Sequence, residues 1–274
     1  MHLIVDGAVM KNSIGAILLG GVFIAGASAA QANGVGAGEL GITPLVVPAE
    51  RTTQLAFPSV FGVASAVAAP GGSGFAALSY VNPRGGVTGS DGDGDFSFGY
   101  TVGNPIEGVS ATVAVNILGL DPFGESGTLS VNFSRLLRAG GNSATFVGLA
   151  AGNLLGWGDA ENNDTTYTIA ASHLVGITTA GGVEIPMQVS VGYGNESTLS
   201  DDGLGVAGPG AFIGLGVGVT ETLSASLSAT QTQLNVGFSL SVPQVPGLGL
   251  SLGMFDVTDN TSRQQVSLGA SFSF

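Results

Sequence analysis

The chain of 274 residues contains no cysteine, and only six of its residues are lysine or arginine. The absence of cysteine excludes disulfide scaffolds and thiolate metal sites. A net charge of −13 with so few basic residues excludes nucleic acid as a partner, because phosphate binding depends on Lys and Arg. Charged residues make up 9% of the chain, against roughly 25% in ordinary soluble domains. The sequence therefore cannot build a conventional charged surface, and something apolar is expected to cover its outside.

Long apolar runs are also missing, apart from one near the N-terminus. Lys11 precedes an uncharged, mostly apolar stretch at 14–30, and a motif of small residues ends at Ala32. This order is typical of a secretory signal peptide, so we predict that residues 1–32 are removed on export, with Met10 as an alternative start. The competing interpretation is a transmembrane anchor, which the short, glycine-rich run disfavours.

The rest of the chain alternates between apolar and small polar residues. In the run QVSLGASFSF at 265–274, every second residue is Val, Leu, Ala or Phe, so one face of an extended strand is apolar and the other polar. We predict twelve such strands, centred near residues 78, 98, 113, 132, 149, 170, 189, 215, 226, 238, 251 and 269. An all-β fold follows, with residues 73–274 forming a closed antiparallel transmembrane β-barrel. Its apolar face would contact lipid, and its polar face would line the lumen.

The acidic residues support this topology, because the connections of a barrel alternate between its two ends. The odd-numbered connections are expected to hold Asp91, Asp93, Asp95, Asp121, Glu125, Asp159, Glu161, Asp164, Glu196, Asp201, Asp202, Asp256 and Asp259. The even-numbered connections are mostly short and hold few acids, as in outer-membrane barrels with long outer loops and short periplasmic turns. Four aromatic residues fall at the acid-rich strand ends, where we predict that their rings lie at the membrane interface: Tyr80, Trp157, Tyr167 and Tyr193.

With its export signal, its alternating strands and its final run ending in Phe272 and Phe274, the chain resembles bacterial outer-membrane β-barrel proteins of the porin-like class. The resemblance covers nearly the whole chain. It implies a location in the outer membrane of a Gram-negative-type bacterium, surrounded by outer-membrane lipid. It also implies insertion by the barrel-assembly machinery, for which Phe272 and Phe274 form the recognition signal. It points to no particular family, and it leaves the oligomeric state open.

Two points of architecture stay open at this level. A β-sandwich is the main rival fold, but its outward faces would need charge, whereas the polar face here is nearly all Gly, Ser, Thr and Asn. Residues 33–72 precede the first strand and are apolar but interrupted by prolines. The alternatives are a lumen plug, a periplasmic extension, a disordered segment, or an additional strand pair within 55–69, which would make fourteen strands.

Residues suited to catalysis are few, so no catalytic residue is predicted and the chain is not expected to be an enzyme. The mature chain has one histidine, His173, which faces outward near the periplasmic end of its strand. The neighbouring Ser172 faces the opposite way, which disfavours a nucleophile–base pair between these two residues. Arg135 also faces outward near the periplasmic end, and we expect it to anchor the barrel in the headgroup region.

One cluster has a physical rationale for binding a ligand. The run SDGDGD places Asp91, Asp93 and Asp95 at alternate positions, with glycines that allow the backbone to curl around a cation. Oxygen clusters of this kind suit calcium, although the later glutamate of an EF-hand loop is missing. A weak calcium site is therefore one interpretation and a solvated acidic loop the other. No other cofactor is predicted.

Two functions remain. Twelve strands roughly 4.8 Å apart and tilted by about 40° give a backbone diameter on the order of 24 Å, which small inward side chains would leave partly open. The first interpretation is a passive pore for small hydrophilic solutes, since the inner face is nearly uncharged. The second is a plugged, non-conducting barrel with a structural or adhesive role through its loops.

Overall fold

The computed structural model describes residues 58–67, 69, 71–82, 93–120, 123–140, 142–180, 182–199, 207–261 and 264–274. Within them, twelve antiparallel strands form a closed barrel in which each strand pairs with the strands before and after it. The strands are β1 (Gly74–Val81), β2 (Asp93–Gly103), β3 (Ser110–Leu120), β4 (Phe123–Gly140), β5 (Ser143–Trp157), β6 (Thr166–Thr178), β7 (Glu184–Leu199), β8 (Ala207–Gly218), β9 (Leu223–Ala229), β10 (Leu234–Ser241), β11 (Leu248–Phe255) and β12 (Gln265–Ser273). The prediction of twelve strands is confirmed, and the predicted signal peptide lies outside the described residues.

The first and last strands close the ring. β1 pairs with β12 from Phe75 opposite Ser273 to Val81 opposite Ser267. Beyond this ladder, the backbones of Gly74 and Phe274 exchange two hydrogen bonds of 2.7 and 3.0 Å. Closure gives each strand of the described barrel two neighbours, which removes the unpaired edges that would be costly in lipid. The end of the barrel where β1 begins and β12 ends is called the terminal end below, and the opposite end is the loop end.

The two faces of the sheet follow the alternation of the sequence. On β9, Leu227 is 46% exposed whereas its neighbour Ser226 is 8% exposed. Around the barrel, apolar side chains are likewise exposed on the outer wall while small polar side chains are buried inside. The exposed residues include Leu78, Phe98, Val113, Phe133, Leu149, Ile169, Val191, Ile213, Phe238, Leu252 and Leu268. An exterior of this kind is stable only against hydrocarbon, so it is the face that meets lipid. No helix among the described residues is long and apolar enough to cross a membrane.

Several strands are longer than a membrane crossing requires. A transmembrane strand needs about 9–11 residues, whereas β4 has 18 residues and β7 has 16. Glu125 and Glu196, which were expected in loop-end connections, are therefore strand residues. The expectation was wrong because the β3–β4 and β7–β8 ladders continue towards the loop end past the apolar part of the wall.

Residues 58–67, called the internal segment below, lie inside the barrel and not in its wall. They form no strand, and most of them are apolar, with Pro58 at their start. The fourteen-strand alternative is wrong, because the described part of 55–69 adds no strand and the ring closes with twelve. Residues 33–57 lie outside the described part of the chain.

Candidate functional site

The candidate site is the lumen together with the internal segment that occupies it. The lumen wall is built from small hydroxyl and amide side chains at the inward positions of the strands. Many of these are fully buried, including Thr101, Ser110, Thr128, Ser172, Gln188, Ser190, Ser224, Ser228 and Asn235, which are 0–2% exposed. Buried polar groups must be hydrogen-bonded to be tolerated, so the question is what satisfies this wall.

The first anchor of the internal segment lies against β9 and β10. The hydroxyl oxygens of Ser59 and Ser239 are 2.6 Å apart. The backbone N–H of Phe61 donates to Ser226 Oγ at 3.2 Å, and the hydroxyl of Ser228 donates to the Phe61 carbonyl. Both backbone groups of Phe61 are thus paired with the wall as they would be in a sheet, but by serine side chains.

The Phe61 side chain is the main apolar contact of this anchor. Its ring is 9% exposed and lies 4.5 Å, centroid to centroid, from the ring of Phe255 on β11. Two wall glycines make room for it, since a Cβ added at Gly237 or Gly253 would come closer than 3.0 Å to Phe61. The ring therefore fills a recess that only glycine at these two positions leaves open.

The second anchor lies on the other side of the lumen, against β4, β6 and β7. The N–H of Ala66 donates to Ser172 Oγ at 2.8 Å, and the hydroxyl of Ser134 donates to the Ala66 carbonyl. Gln188 donates from Nε2 to Ser65 Oγ at 2.7 Å. The internal segment thus crosses the lumen and is held by hydrogen bonds at both sides.

Between the two anchors the contact is apolar. Buried residues of the internal segment pack against inward apolar residues of β5, β6 and β8, forming one cluster: Val60, Val63, Ala64, Ala66, Val67, Ala144, Phe146, Ala170, Leu174 and Phe212. On β8, a Cβ at Gly214 would come closer than 3.0 Å to Val60, and one at Gly216 would do so to the Ser59 carbonyl. The wall is therefore shaped to the backbone of the internal segment.

The described space beside the internal segment includes one small cavity. A cavity of about 30 Å³ lies between it and the wall formed by β3 to β6, lined by residues such as Ala66, Ser110, Asn132 and Thr168. Such a volume accommodates one or two waters and no sugar-sized solute. In this conformation the internal segment obstructs the lumen.

The residues predicted as a calcium site are placed as follows. Asp93 and Asp95 are strand residues of β2, opposite Val81 and Ser79 of β1, and Asp91 lies outside the described residues. Within the described part of the chain, no group of three or more His, Asp or Glu is arranged to hold a metal ion. The calcium site stays a prediction, and it depends on the connection that precedes β2.

Three of the predicted interface aromatics are exposed on the barrel: Tyr80, Tyr167 and Tyr193 are 44%, 61% and 51% exposed. Trp157 is only partly exposed, because its indole N–H donates to the Gly124 carbonyl at 3.1 Å and its ring covers Gly127. Of the predicted assembly signal, Phe272 and Phe274 are exposed at the terminal end, with ring centroids 6.2 Å apart.

Sequence reasoning left open whether residues 33–72 enter the lumen, yet a signal was present. Phe146, Leu174 and Phe212 lie at inward positions, where the pattern of the other strands places Gly or Ser. An apolar side chain at a position that points into the lumen needs an apolar partner inside the barrel. These exceptions mark the wall against which the internal segment packs.

Cysteine labelling distinguishes the inner wall, the outer wall and the covered surface. We expect Ser226→Cys to react slowly with a charged maleimide in the intact protein, because Phe61 covers it, and to react at least about tenfold faster when the internal segment is removed. Leu227→Cys should stay unreactive in both, since it faces lipid. Thr258→Cys, exposed after β11, is the reactive control. Equal rates at 226 and 227 in the variant without the internal segment would contradict the assignment of faces.

Known proteins that resemble this chain are found among solved structures alone. No family model matches the chain, and no curated protein matches it. Among solved structures, the outer membrane protein Omp33 of Acinetobacter baumannii is 10% identical over 74% of this chain and 98% of its own, with a TM-score of 0.47. The KdgM porin is 9% identical over 74% of this chain and 99% of its own, with a TM-score of 0.46. An outer membrane channel from Pseudomonas putida F1 is 8% identical over 83% and 100%, with a TM-score of 0.41.

The closed ring of strands with an apolar outer wall confirms the class predicted from the sequence, a bacterial outer-membrane β-barrel in the outer membrane. The strand pairing carries this conclusion, and the likenesses to solved structures assign no function. The molecule is a pore-like barrel whose lumen contains a segment of its own chain.

Proposed function

We propose that this protein is an outer-membrane pore for small hydrophilic solutes that its own internal segment closes. The observation that carries the proposal is the hydroxyl-lined lumen wall, to which residues 58–67 are attached by the two hydrogen-bonded anchors. Each serine that now binds the internal segment can bind water instead. Moving the segment therefore exchanges protein hydrogen bonds for water hydrogen bonds and leaves a wettable wall.

The closed state is held by many weak contacts and not by a few strong ones. A hydrogen bond between uncharged groups contributes only about 0.5–1.5 kcal/mol net, because water replaces the lost partner. The apolar contacts of Phe61, Val60 and Val63 add the larger share. Such a set is stable at rest yet can be released cooperatively, which is what a gate requires.

A second candidate function is a permanently closed barrel with a structural or adhesive role. The apolar cluster around Phe146, Leu174 and Phe212 favours it, because a pore that opens must expose these side chains to water. The two functions differ in one property, namely whether the internal segment ever leaves the wall.

A reversible disulfide tests this property. The hydroxyl oxygens of Ser59 and Ser239 are 2.6 Å apart, and a disulfide needs its sulfurs about 2.05 Å apart, so Ser59→Cys/Ser239→Cys should crosslink readily. The chain has no cysteine of its own to interfere. In planar bilayers we expect openings of the reduced protein, driven by voltage, and none of the oxidised protein.

The single variant Ser59→Cys is the matched control, and its openings should not depend on the oxidant. If the reduced double variant and the wild type never open although they are folded, the permanently closed barrel is the better function. If openings persist in the fully oxidised protein, the internal segment is not the gate.

The proposal also includes the partners implied by the class. Outer-membrane lipid surrounds the outer wall, and small hydrophilic solutes enter the lumen when it opens. Insertion by the barrel-assembly machinery is supported by the position of Phe272 and Phe274 on β12 and directly after it, at the seam with β1.

A further inference from the structure

The basic residues of the described chain are gathered in one place. His2, Lys11, Arg51, Arg84 and Arg263 lie outside the described residues, which leaves Arg135, Arg138 and His173 as the basic side chains that the structure describes. All three are exposed, on β4 and β6, with β5 between them. In a chain of net charge −13, three basic groups on adjacent strands form a distinct surface, called the basic patch below.

A β-bulge places the second arginine on the outer wall. In a regular strand, positions 135 and 138 would face opposite sides. The β4–β5 ladder shifts between Leu136, opposite Phe146, and Arg138, opposite Thr145, so that Leu137 is an extra residue. Residues directly opposite each other share a face, and Thr145 faces outward with His173. The bulge therefore turns Arg138 to the same side as Arg135, a typical use of such an irregularity.

The register brings the basic groups level with one another. Arg138 pairs with Thr145, and Thr145 pairs with His173 on the next strand, so the three form a row across β4, β5 and β6. The Thr145 hydroxyl lies 2.9 Å from His173 Nδ1. If the hydroxyl donates, Nε2 carries the ring hydrogen and is free to donate outward. Arg135 is a further outward residue of β4, before the bulge.

The surroundings of the basic patch are apolar. Phe133, Leu137 and Leu149 are 46%, 61% and 57% exposed on the same strands. In the described part of the chain, neither guanidinium has a hydrogen-bond or ion-pair partner from the protein. A charged group beside hydrocarbon needs a counter-charge, because an unpaired ion in a low-dielectric setting is costly.

From this arrangement we infer that the basic patch is a binding site for the phosphate of a phospholipid headgroup, in the leaflet that meets the terminal end of the barrel. Two guanidinium groups present planar forks of donors that match phosphate oxygens, and His173 supplies a further donor. Acyl chains of the same lipid then lie along Phe133, Leu137 and Leu149. The site is independent of whether the lumen conducts.

The distribution of charge favours this leaflet. Most of the described acidic residues of the connections, such as Asp159, Glu161, Asp164 and Asp259, lie at the loop end, whereas the terminal end has Glu107, Glu184 and Glu221. Arg138 lies two residues before the end of β4, at the terminal end. The basic patch therefore lies at the end of the barrel that has fewer acidic residues, and it meets the headgroups of the leaflet opposite the acid-rich loops.

Native mass spectrometry of the refolded protein with its internal segment, titrated with phosphatidylglycerol in a neutral detergent, tests the inference. We expect Arg135→Gln/Arg138→Gln to bind the first lipid at least about tenfold more weakly than wild type, since two charge-assisted contacts are lost. Arg135→Lys/Arg138→Lys keeps the charge but not the planar fork, so an intermediate affinity is expected.

Arg84→Gln/Arg263→Gln is the control matched in charge, because it removes two arginines from the connections before β2 and before β12. If this variant loses as much lipid affinity as Arg135→Gln/Arg138→Gln does, the inference is overturned, because the change in net charge alone then explains the loss. Inorganic phosphate at millimolar concentration should not displace the lipid. If it does so, the site recognises a free anion, and the assignment to a lipid headgroup is wrong.

Discussion

Deletion of residues 33–67 is expected to convert a mostly closed barrel into a stably conducting one. The deletion removes both anchors but keeps residues 71 and 72, whose backbone lies against β2, where Gly72 N–H donates to the Thr101 carbonyl at 2.8 Å. A ring of twelve strands has a backbone diameter on the order of 24 Å, so its small inward side chains leave a water-filled channel. Single-channel recording in planar bilayers measures the change directly.

The barrel itself should survive this deletion. The twelve ladders involve no residue of the internal segment, and the serines that lose a partner become accessible to water. A strand-rich circular dichroism spectrum and wild-type heat-modifiable mobility on gels are the controls for folding. A folded deletion variant that stays silent at every voltage would contradict the proposed pore, because nothing described would then block the lumen.

The opened channel should prefer cations weakly. The described arginines face outward, whereas acidic residues are numerous at the loop end. Exposed charges act over about 8 Å at physiological salt, so the preference should decline as the salt concentration rises. Reversal potentials measured in a gradient of KCl, at low and at high mean concentration, report this change.

Substitution of wall glycines should open the barrel without shortening the chain. Gly214→Val/Gly216→Val places side chains where Val60 and the Ser59 carbonyl now lie. The backbone carbonyl cannot move aside, and overpacking costs about 1–3 kcal/mol per site, so the open fraction should rise by at least about tenfold. Valine suits a strand better than glycine does, and the wall should not be weakened. Open probability in bilayers is the measurement.

Gly208→Val is the matched control for this pair. Gly208 lies on the same strand, and an added Cβ there meets nothing within 4 Å. It should leave the open probability unchanged. If Gly214→Val/Gly216→Val also behaves as wild type while remaining folded, then contact between β8 and the internal segment does not control the lumen.

The period of two in the sequence was sufficient to predict the barrel wall. Each run alternates in the same way, so the side that holds Leu227 faces lipid and the side that holds Ser226 faces the lumen, whatever the details of the loops. Local alternation is a property of consecutive residues, and it can therefore be read without knowledge of the fold. The strand centres and their number follow from the same pattern.

The contents of the lumen could not be predicted in the same way. The internal segment has no alternation of its own, and its partners Ser172, Ser226 and Ser239 are more than 100 residues away along the chain. The outward orientation of Arg138 could not be predicted from simple alternation either. One extra residue, Leu137, exchanges the inward and outward positions for the last residues of β4. The full lengths of β4 and β7 could not be predicted, because their outer parts are paired beyond the apolar part of the wall and show no apolar alternation there.

The anchors of the internal segment carry a consequence for the signals that can open the barrel. Every hydrogen bond described between this segment and the wall joins uncharged groups: hydroxyls, an amide and the backbone. Protonation therefore has no group to act on at these contacts, and ions have no charge pair there to screen. The stability of the closed state should therefore depend on neither the pH nor the ionic strength of the medium. Force on the chain, or a strand that competes for the wall, is then the means of opening the barrel.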